Sequence, residues 1–397
     1  MSETTFVGLG VSADVTAALA ARGIDAPFEI QTMVMADALA GRDILAKSRT
    51  GSGKTLAFAL PIVERLDAAS KTPAALVLVP TRELASQVAG EFADIARAKG
   101  LRVATAYGGV AIQAQARLAA RAHILIATPG RLTDLASRNA IRLDGISVLV
   151  LDEADRMLDM GFLPQVDRIV TRIPSERQTM FFSATLDGEV GRIAKSYTHE
   201  PVLHEVAAPT QTVDEVEHRF IPVAPHDKIG ALVDLLGAER GLALVFVRTK
   251  RGVDRLAEKL LSHGVRAVAM HGDMTQAARE RSLAQFEAGK ADTLVATDVA
   301  ARGLDLDEIT HVINFDPPSD SKDYVHRVGR TARAGRTGTG VTFVLPDQAG
   351  DIGRMAARLD LDEHFEREGM KVPPPRLAYA APRKRNSLLG RRPRRRF

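Results

Sequence analysis

Short, unbroken apolar runs alternate with helix-like stretches along most of this chain, and no other feature constrains its fold as strongly. In the first half the runs cover residues 43–46, 75–79, 102–106, 124–127, 147–151 and 179–182. They are rich in Val, Ile and Leu with no polar alternation, the pattern of parallel strands covered on both faces. Stretches such as 83–98 and 131–138 separate them and read as helices. A βα repeat of this kind winds into a parallel sheet with helices on both sides.

The repeat restarts after a short polar stretch that contains Pro209, with further runs at 217–221, 243–247, 266–270, 293–296, 311–314 and 341–344. The expected class is α/β, with two tandem domains that are each a doubly wound parallel sheet. The expected bounds are 1–207 and 215–369, joined by a linker at 208–214 and followed by a tail at 370–397.

Charge separates that tail from the body. From Lys371 onward there are two Lys, eight Arg and no acid, so with +4 overall residues 1–370 carry −6. A mildly acidic body that binds a polyanion must use local contacts, because its global field does not help. With Pro373-Pro-Pro375 and runs of Arg, the tail cannot bury a core and is expected to be disordered. There are no cysteines, which excludes disulfides and thiolate metal sites. No apolar stretch approaches the roughly 18 residues of a membrane span. The opening Met-Ser-Glu-Thr-Thr-Phe lacks a signal-peptide pattern. A cytoplasmic monomer is expected.

In open α/β sheets ligands bind at the carboxyl ends of the strands, and two such ends carry chemistry here. After the first run comes Ser48-Arg49-Thr50-Gly51-Ser52-Gly53-Lys54-Thr55. Gly51 and Gly53 allow a tight turn whose N–H groups face phosphate oxygens. Lys54 neutralises the β- and γ-phosphates, and Thr55 offers a hydroxyl to Mg2+. Ser48 stands where the P-loop pattern wants Gly. Alone, the loop also suits a plain helix start. The fifth run, however, ends in Asp152-Glu153-Ala154-Asp155. Asp152 can hold magnesium and Glu153 can polarise an attacking water. Loop and acids together make an NTPase site. A third component, His326-Arg-Val-Gly-Arg-Thr-Ala-Arg333, spaces arginines by three, so one helical face is expected to present them all. Arginines supplied by the other domain would make hydrolysis depend on domain closure.

These segments resemble a DEAD-box ATP-dependent RNA helicase of superfamily 2, whose two domains are RecA-like. The resemblance spans nearly the whole body: Phe6 with Gln31, the loop 48–55, Pro80-Thr-Arg-Glu-Leu-Ala85, Gly108-Gly109 and Thr128-Pro-Gly-Arg131. It continues through 152–155, Ser183-Ala-Thr185, Val245-Phe-Val-Arg-Thr249, Gln276 with Arg279, Thr297-Asp-Val-Ala-Ala-Arg-Gly-Leu-Asp305 and 326–333. The resemblance implies that Gln31 reads the adenine edge, Asp305 contacts the ribose, and Gly303 lies near the γ-phosphate. It also implies that Arg330 and Arg333 are arginine fingers, and that Ser183, Thr185, Asp155 and His326 couple the acidic motif to the second domain. Thr81, Arg82, Gly109, Thr128, Arg131, Arg248, Thr249, Gln276, Arg279 and Thr297 would line a groove for single-stranded RNA or a short duplex. Contacts to phosphates and 2′-hydroxyls make such binding independent of sequence.

The chain departs from the family pattern at the adenine motif. The usual aromatic after its glycine is Ile24, and the usual Thr-Pro is Phe28-Glu29. Ile24 keeps an apolar contact with the base but loses the ring–ring component. Phe28 either substitutes for that ring or is a core residue, and the core reading is favoured. Ser48 replaces the family's usual Ala, a small change. The implied activity is RNA-stimulated ATP hydrolysis coupled to local strand separation or to remodelling of RNA–protein complexes. An ATP-gated RNA clamp with little multiple-turnover unwinding is the alternative, since the same motifs serve both. The tail is expected to act as a polybasic RNA arm. Deleting residues 371–397 should therefore weaken RNA affinity and flatten its salt dependence while leaving the core ATPase intact. RNA binding measured across a salt series tests this, and an unchanged slope would exclude the arm.

Overall fold

In the computed structural model, which describes residues 4–48, 52–69, 73–206, 216–238, 241–301, 308–332 and 337–373, the apolar runs form two sheets. The first contains β1 (Ile44–Lys47), β2 (Ala75–Leu78), β3 (Val103–Ala106), β4 (Ile124–Ala127), β5 (Val148–Leu151), β6 (Gln178–Ser183) and β7 (Val202–Glu205). Their spatial order is β3-β4-β2-β5-β6-β1-β7. The second contains β8 (Val216–Pro222), β9 (Leu242–Phe246), β10 (Ala267–Met270), β11 (Thr293–Ala296), β12 (Ile309–Asn314) and β13 (Gly338–Val344), in the order β10-β11-β9-β12-β13-β8. Every pairing is parallel. The expected linker at 208–214 and the tail beyond 373 lie outside the described residues.

Alternate residues of each strand serve opposite cores. Ala46, Val77, Ile126, Val150 and Phe182 face one side of the first sheet. There they meet α1 (Ala13–Ala20), α2 (Glu29–Leu39), α3 (Lys54–Arg65) and α4 (Arg82–Ala98). Leu45, Leu76, Leu125, Leu149 and Phe181 face the other side. They pack on α5 (Ile112–Ala119), α6 (Pro129–Ser137), α7 (Ala154–Asp159), α8 (Leu163–Val170) and α9 (Gly188–Tyr197). The second sheet repeats the arrangement. Val245, Val295 and Phe343 pack on α10 (Lys228–Gly237) and α11 (Lys250–Ser262). Leu244, Leu294 and Val312 pack on α12 (Gln276–Glu287), α13 (Asp298–Ala301) and α14 (Ser321–Val328).

One strand was not expected. β7 alternates half-buried and exposed positions and is a polar edge. Tertiary contacts specify it: Ile44 pairs in register with Val202, and the Asp43 carboxylate accepts from the amides of Thr179 and His199 at 2.7 and 2.6 Å.

Among the described residues, two ion pairs join the halves. Arg279 on α12 meets Glu83 on α4 at 2.9 Å with both side chains buried. Lys322 on α14 meets Asp159 on α7 at 2.8 Å nearer the surface. Breaking a buried pair by removing one partner costs about 3–5 kcal/mol, whereas an exposed pair is worth about 0–1 kcal/mol. Removing one partner of the Glu83 clasp is therefore the more disruptive change.

At the centre of the first core the Phe58 ring lies edge-on to Phe182 at 5.2 Å and beside Phe92 at 6.2 Å. Phe58→Ala should cost about 3–5 kcal/mol. Urea denaturation should show the transition of the first sheet moving to lower denaturant while that of the second sheet stays in place.

Candidate functional site

Strand order decides which loops meet. β5, β6 and β1 are neighbours, so the glycine-rich loop after β1, the acids after β5 and Ser183–Thr185 after β6 share one carboxyl edge. Gly53 takes the left-handed conformation with φ 82°, which starts α3 immediately at Lys54. The Lys54 ammonium is buried and donates to the Ser48 carbonyl at 3.0 Å, while the Ser52 hydroxyl meets the Ser48 hydroxyl at 3.1 Å. Thr55 follows on the same helix start. Arg49, Thr50 and Gly51 lie outside the described residues.

The acids occupy a sharp corner between β5 and α7. Glu153 has φ 52°, a left-handed conformation that costs a residue with a side chain about 1–3 kcal/mol. Asp152 is buried and accepts a hydrogen bond from the Glu153 amide at 2.9 Å. Burial pushes its carboxyl up to about 6, against the pull of Lys54. Burial also acts to raise the neighbouring Glu153, but Arg156, Lys54 and Arg330 outweigh it and hold that carboxyl below its ordinary value. Arg156, one helical turn on, forms a buried ion pair with Glu153. The spacing of three could have revealed this partner, which the sequence reading missed.

The second half completes the corner. His326 and Arg330 stand within electrostatic reach of the acids: Arg330 acts on Glu153, while burial and then Arg156 lower the His326 imidazole against Asp155. Asp155 accepts from the Thr185 hydroxyl at 3.4 Å, and the Thr185 amide donates to the Ser183 hydroxyl at 3.3 Å. The expected row of three arginines on one helix does not form. α14 ends at Val328 with Gly329 as its cap, so Arg330 lies in the turn that follows. Arg327 turns inward instead, donating to both Asp298 oxygens at 2.6 and 2.7 Å and to Asn314 at 3.0 Å. Arg333, Gly303 and Asp305 lie outside the described residues.

At the expected adenine motif, Gln31 is buried and bridges two segments. Its Oε1 accepts from the Phe28 amide and its Nε2 donates to the Gly53 carbonyl, both at 2.9 Å. Ile24 is half-buried against the first core. Phe28 is not a core residue: it precedes α2 in extended conformation and its ring is 61% exposed.

The residues expected to contact RNA gather along a different stretch of the same edges. Thr81 caps α4 through the Leu84 amide at 3.2 Å, and Thr249 caps α11 through the Gly252 amide at 3.1 Å. Thr128 precedes Pro129 at the start of α6, Gln276 opens α12, and Thr297 immediately precedes α13. Neighbouring strands β4 and β2 in one sheet, and β10, β11 and β9 in the other, bring these helix starts together. Helix N-termini present unpaired N–H groups that suit phosphates. The Arg82 guanidinium packs on Gly109, where a side chain would collide with it. Arg131 donates to the Val110 carbonyl at 3.0 Å and also to Gln115. The backbone amide of Arg248, an exposed residue, donates to Asp316 at 2.9 Å. Arg279 departs from the expected arrangement, because it is buried against Glu83 instead of facing an open groove. That partner could not be read from the sequence, since it exists only where the two halves meet.

Among the described residues no helix is long and apolar enough to cross a membrane. The DEAD/DEAH box helicase family matches residues 28–193 and the helicase conserved C-terminal domain matches residues 227–335. The DEAD-box ATP-dependent RNA helicase CshA of Geobacillus kaustophilus is 44% identical over 351 residues, which are 88% of this chain and 75% of that protein. Among solved structures, S. cerevisiae Dbp5 bound to RNA and ADP BeF3 aligns with a TM-score of 0.78 at 28% identity, covering 92% of this chain and 93% of that one. Mss116p bound to ssRNA and AMP-PNP aligns with a TM-score of 0.80 at 26% identity, covering 90% and 78%. Family models over both halves and a relative this similar over most of both chains show that the chain belongs to the DEAD-box family of ATP-dependent RNA helicases.

Proposed function

We propose that residues 1–207 form the ATP-binding domain and 215–369 the second helicase domain, and that ATP and RNA together hold the two shut. One observation carries this reading: from the second half, the buried Arg330 acts electrostatically on Glu153 and the half-buried His326 is acted on by Asp155, both acids being buried in the first half. There, Lys54 neutralises the β- and γ-phosphates, Arg330 with Arg333 meets the γ-phosphate, and Glu153 polarises the attacking water. Arg156, Lys54 and Arg330 hold its carboxyl below its ordinary value, so it is ionised and can accept a hydrogen bond from that water.

Asp152 and Thr55 would hold Mg2+. One buried carboxylate and one hydroxyl fit an ion that takes its remaining ligands from phosphates and water. Magnesium at this place would neutralise charge developing on the phosphates. Gln31 selects adenine, Asp305 binds the ribose and Gly303 lies near the γ-phosphate. Thr185 and Ser183 relay the state of Asp155 to the closing surface.

RNA lies across the helix starts at Thr81, Thr128, Gln276, Thr249 and Thr297, with Arg82, Gly109, Arg131 and Arg248 beside the backbone. Closure bends one strand against α6 and separates a short duplex; phosphate release then reopens the domains. Each ligand contributes only its differential affinity for the closed form. The basic tail adds further RNA contacts, and the working unit is a monomer.

Steady-state ATP hydrolysis without nucleic acid, with single-stranded RNA and with matched DNA tests the closure mechanism. RNA alone should stimulate strongly; equal stimulation by DNA would overturn the groove assignments. Glu153→Gln should lower turnover by about 10²-fold or more while preserving ATP-dependent RNA binding, because water activation is lost and closure is not. Paired turnover and RNA-binding measurements on that variant check the assignment.

A further inference from the structure

Phe28 has no part in this mechanism, yet it is one of the few large apolar side chains left open among the described residues. Its neighbours Ile24 and Ile30 pack against the first core, whereas its ring points outward. The backbone that carries the ring is held in place. The Phe28 amide is fixed by Gln31 Oε1, and Gln31 Nε2 is fixed by the Gly53 carbonyl. Together these bonds tie the start of α2 to the glycine-rich loop. A Cβ on Gly53 would stand 2.5 Å from the Phe28 ring and 2.6 Å from Gln31 Nε2. Ring edge, side-chain amide and left-handed glycine therefore converge on one spot, directly before Lys54.

After these two bonds the Gln31 amide keeps one donor hydrogen and one acceptor lone pair. That pair complements a purine edge with an amino group beside a ring nitrogen. A flat base hydrogen-bonded to this amide would lie beside the ring, because ring and amide both stand within 2.6 Å of the same point at Gly53. We propose that Phe28 is the base-stacking residue of this chain's nucleotide site, supplying from the start of α2 the aromatic face that Ile24 lacks. This proposal rests on the ATP-site reading above and adds to it the residue that grips the base.

The chain contains no tryptophan, so Phe28→Trp introduces a single indole as a local reporter. ADP should quench its emission, and inorganic tripolyphosphate, which has no base, should not. In calorimetric titrations Phe28→Leu should weaken ADP binding about 3- to 10-fold, the range of an aromatic contact, and leave tripolyphosphate binding unchanged. Three results with Phe28→Leu would overturn the proposal. ADP binding by Phe28→Leu equal to the parent would leave the ring as ordinary surface. Tighter binding would make it a shield over Gln31. Equal loss of both ligands would make it a support for the loop. Failure of the parent itself to bind ADP would overturn the nucleotide-site reading, and the stacking role with it.

Discussion

Charge removed from water organises this molecule. Asp152, Glu153, Asp155, Lys54, Arg156 and Arg330 are all buried where the two halves meet. Isolated, any one of them would be costly to bury, so each is tolerable only beside its partners. Lys54 and Arg156 come from the first half and Arg330 from the second. The first half alone thus leaves its acids incompletely balanced, and contact with the second supplies the remaining positive charge. Fold and chemistry meet at this point, because the parallel strand order that packs the first core also delivers the first-half groups to one edge.

The backbone at that edge is as specific as the charges. Gly53 and Glu153 both adopt left-handed conformations, one before each short path into a helix. The glycine does so without penalty, whereas the glutamate is held there by its ion pair with Arg156 and by its packing. Residues kept in sparsely populated conformations concentrate at functional sites because the surrounding structure has to over-determine them.

Much of this was legible in the sequence. The runs at 75–79, 124–127 and 147–151 had to be buried on both faces, and a sheet of such strands admits few topologies. β7 was not legible, because its pattern is that of exposed chain and Asp43 holds it from a distance. Phe28 was misread because an aromatic beside Ile30 and Val34 suggests a core, and only the helix start at Glu29 turns its ring outward. The arginine spacing was read as a continuous helix, but Gly329 ends that helix and Asp298 draws Arg327 inward. Local pattern identified the elements, while contacts between residues distant in the sequence stayed hidden.

The clasp between Glu83 and Arg279 has one further consequence. It joins α4 and α12, whose starts lie on the side where Thr81 and Gln276 stand. Each half carries its own short row of helix starts, and on the reading above each row alone is a weak site for a strand. Joined, the two rows form one track. A strand held on one row then meets the other as a neighbour at high effective concentration, so the grip multiplies instead of adding. Opening the clasp divides the track again. By this arithmetic, release of a strand needs no contact to be broken one at a time, because avidity vanishes as soon as the halves part.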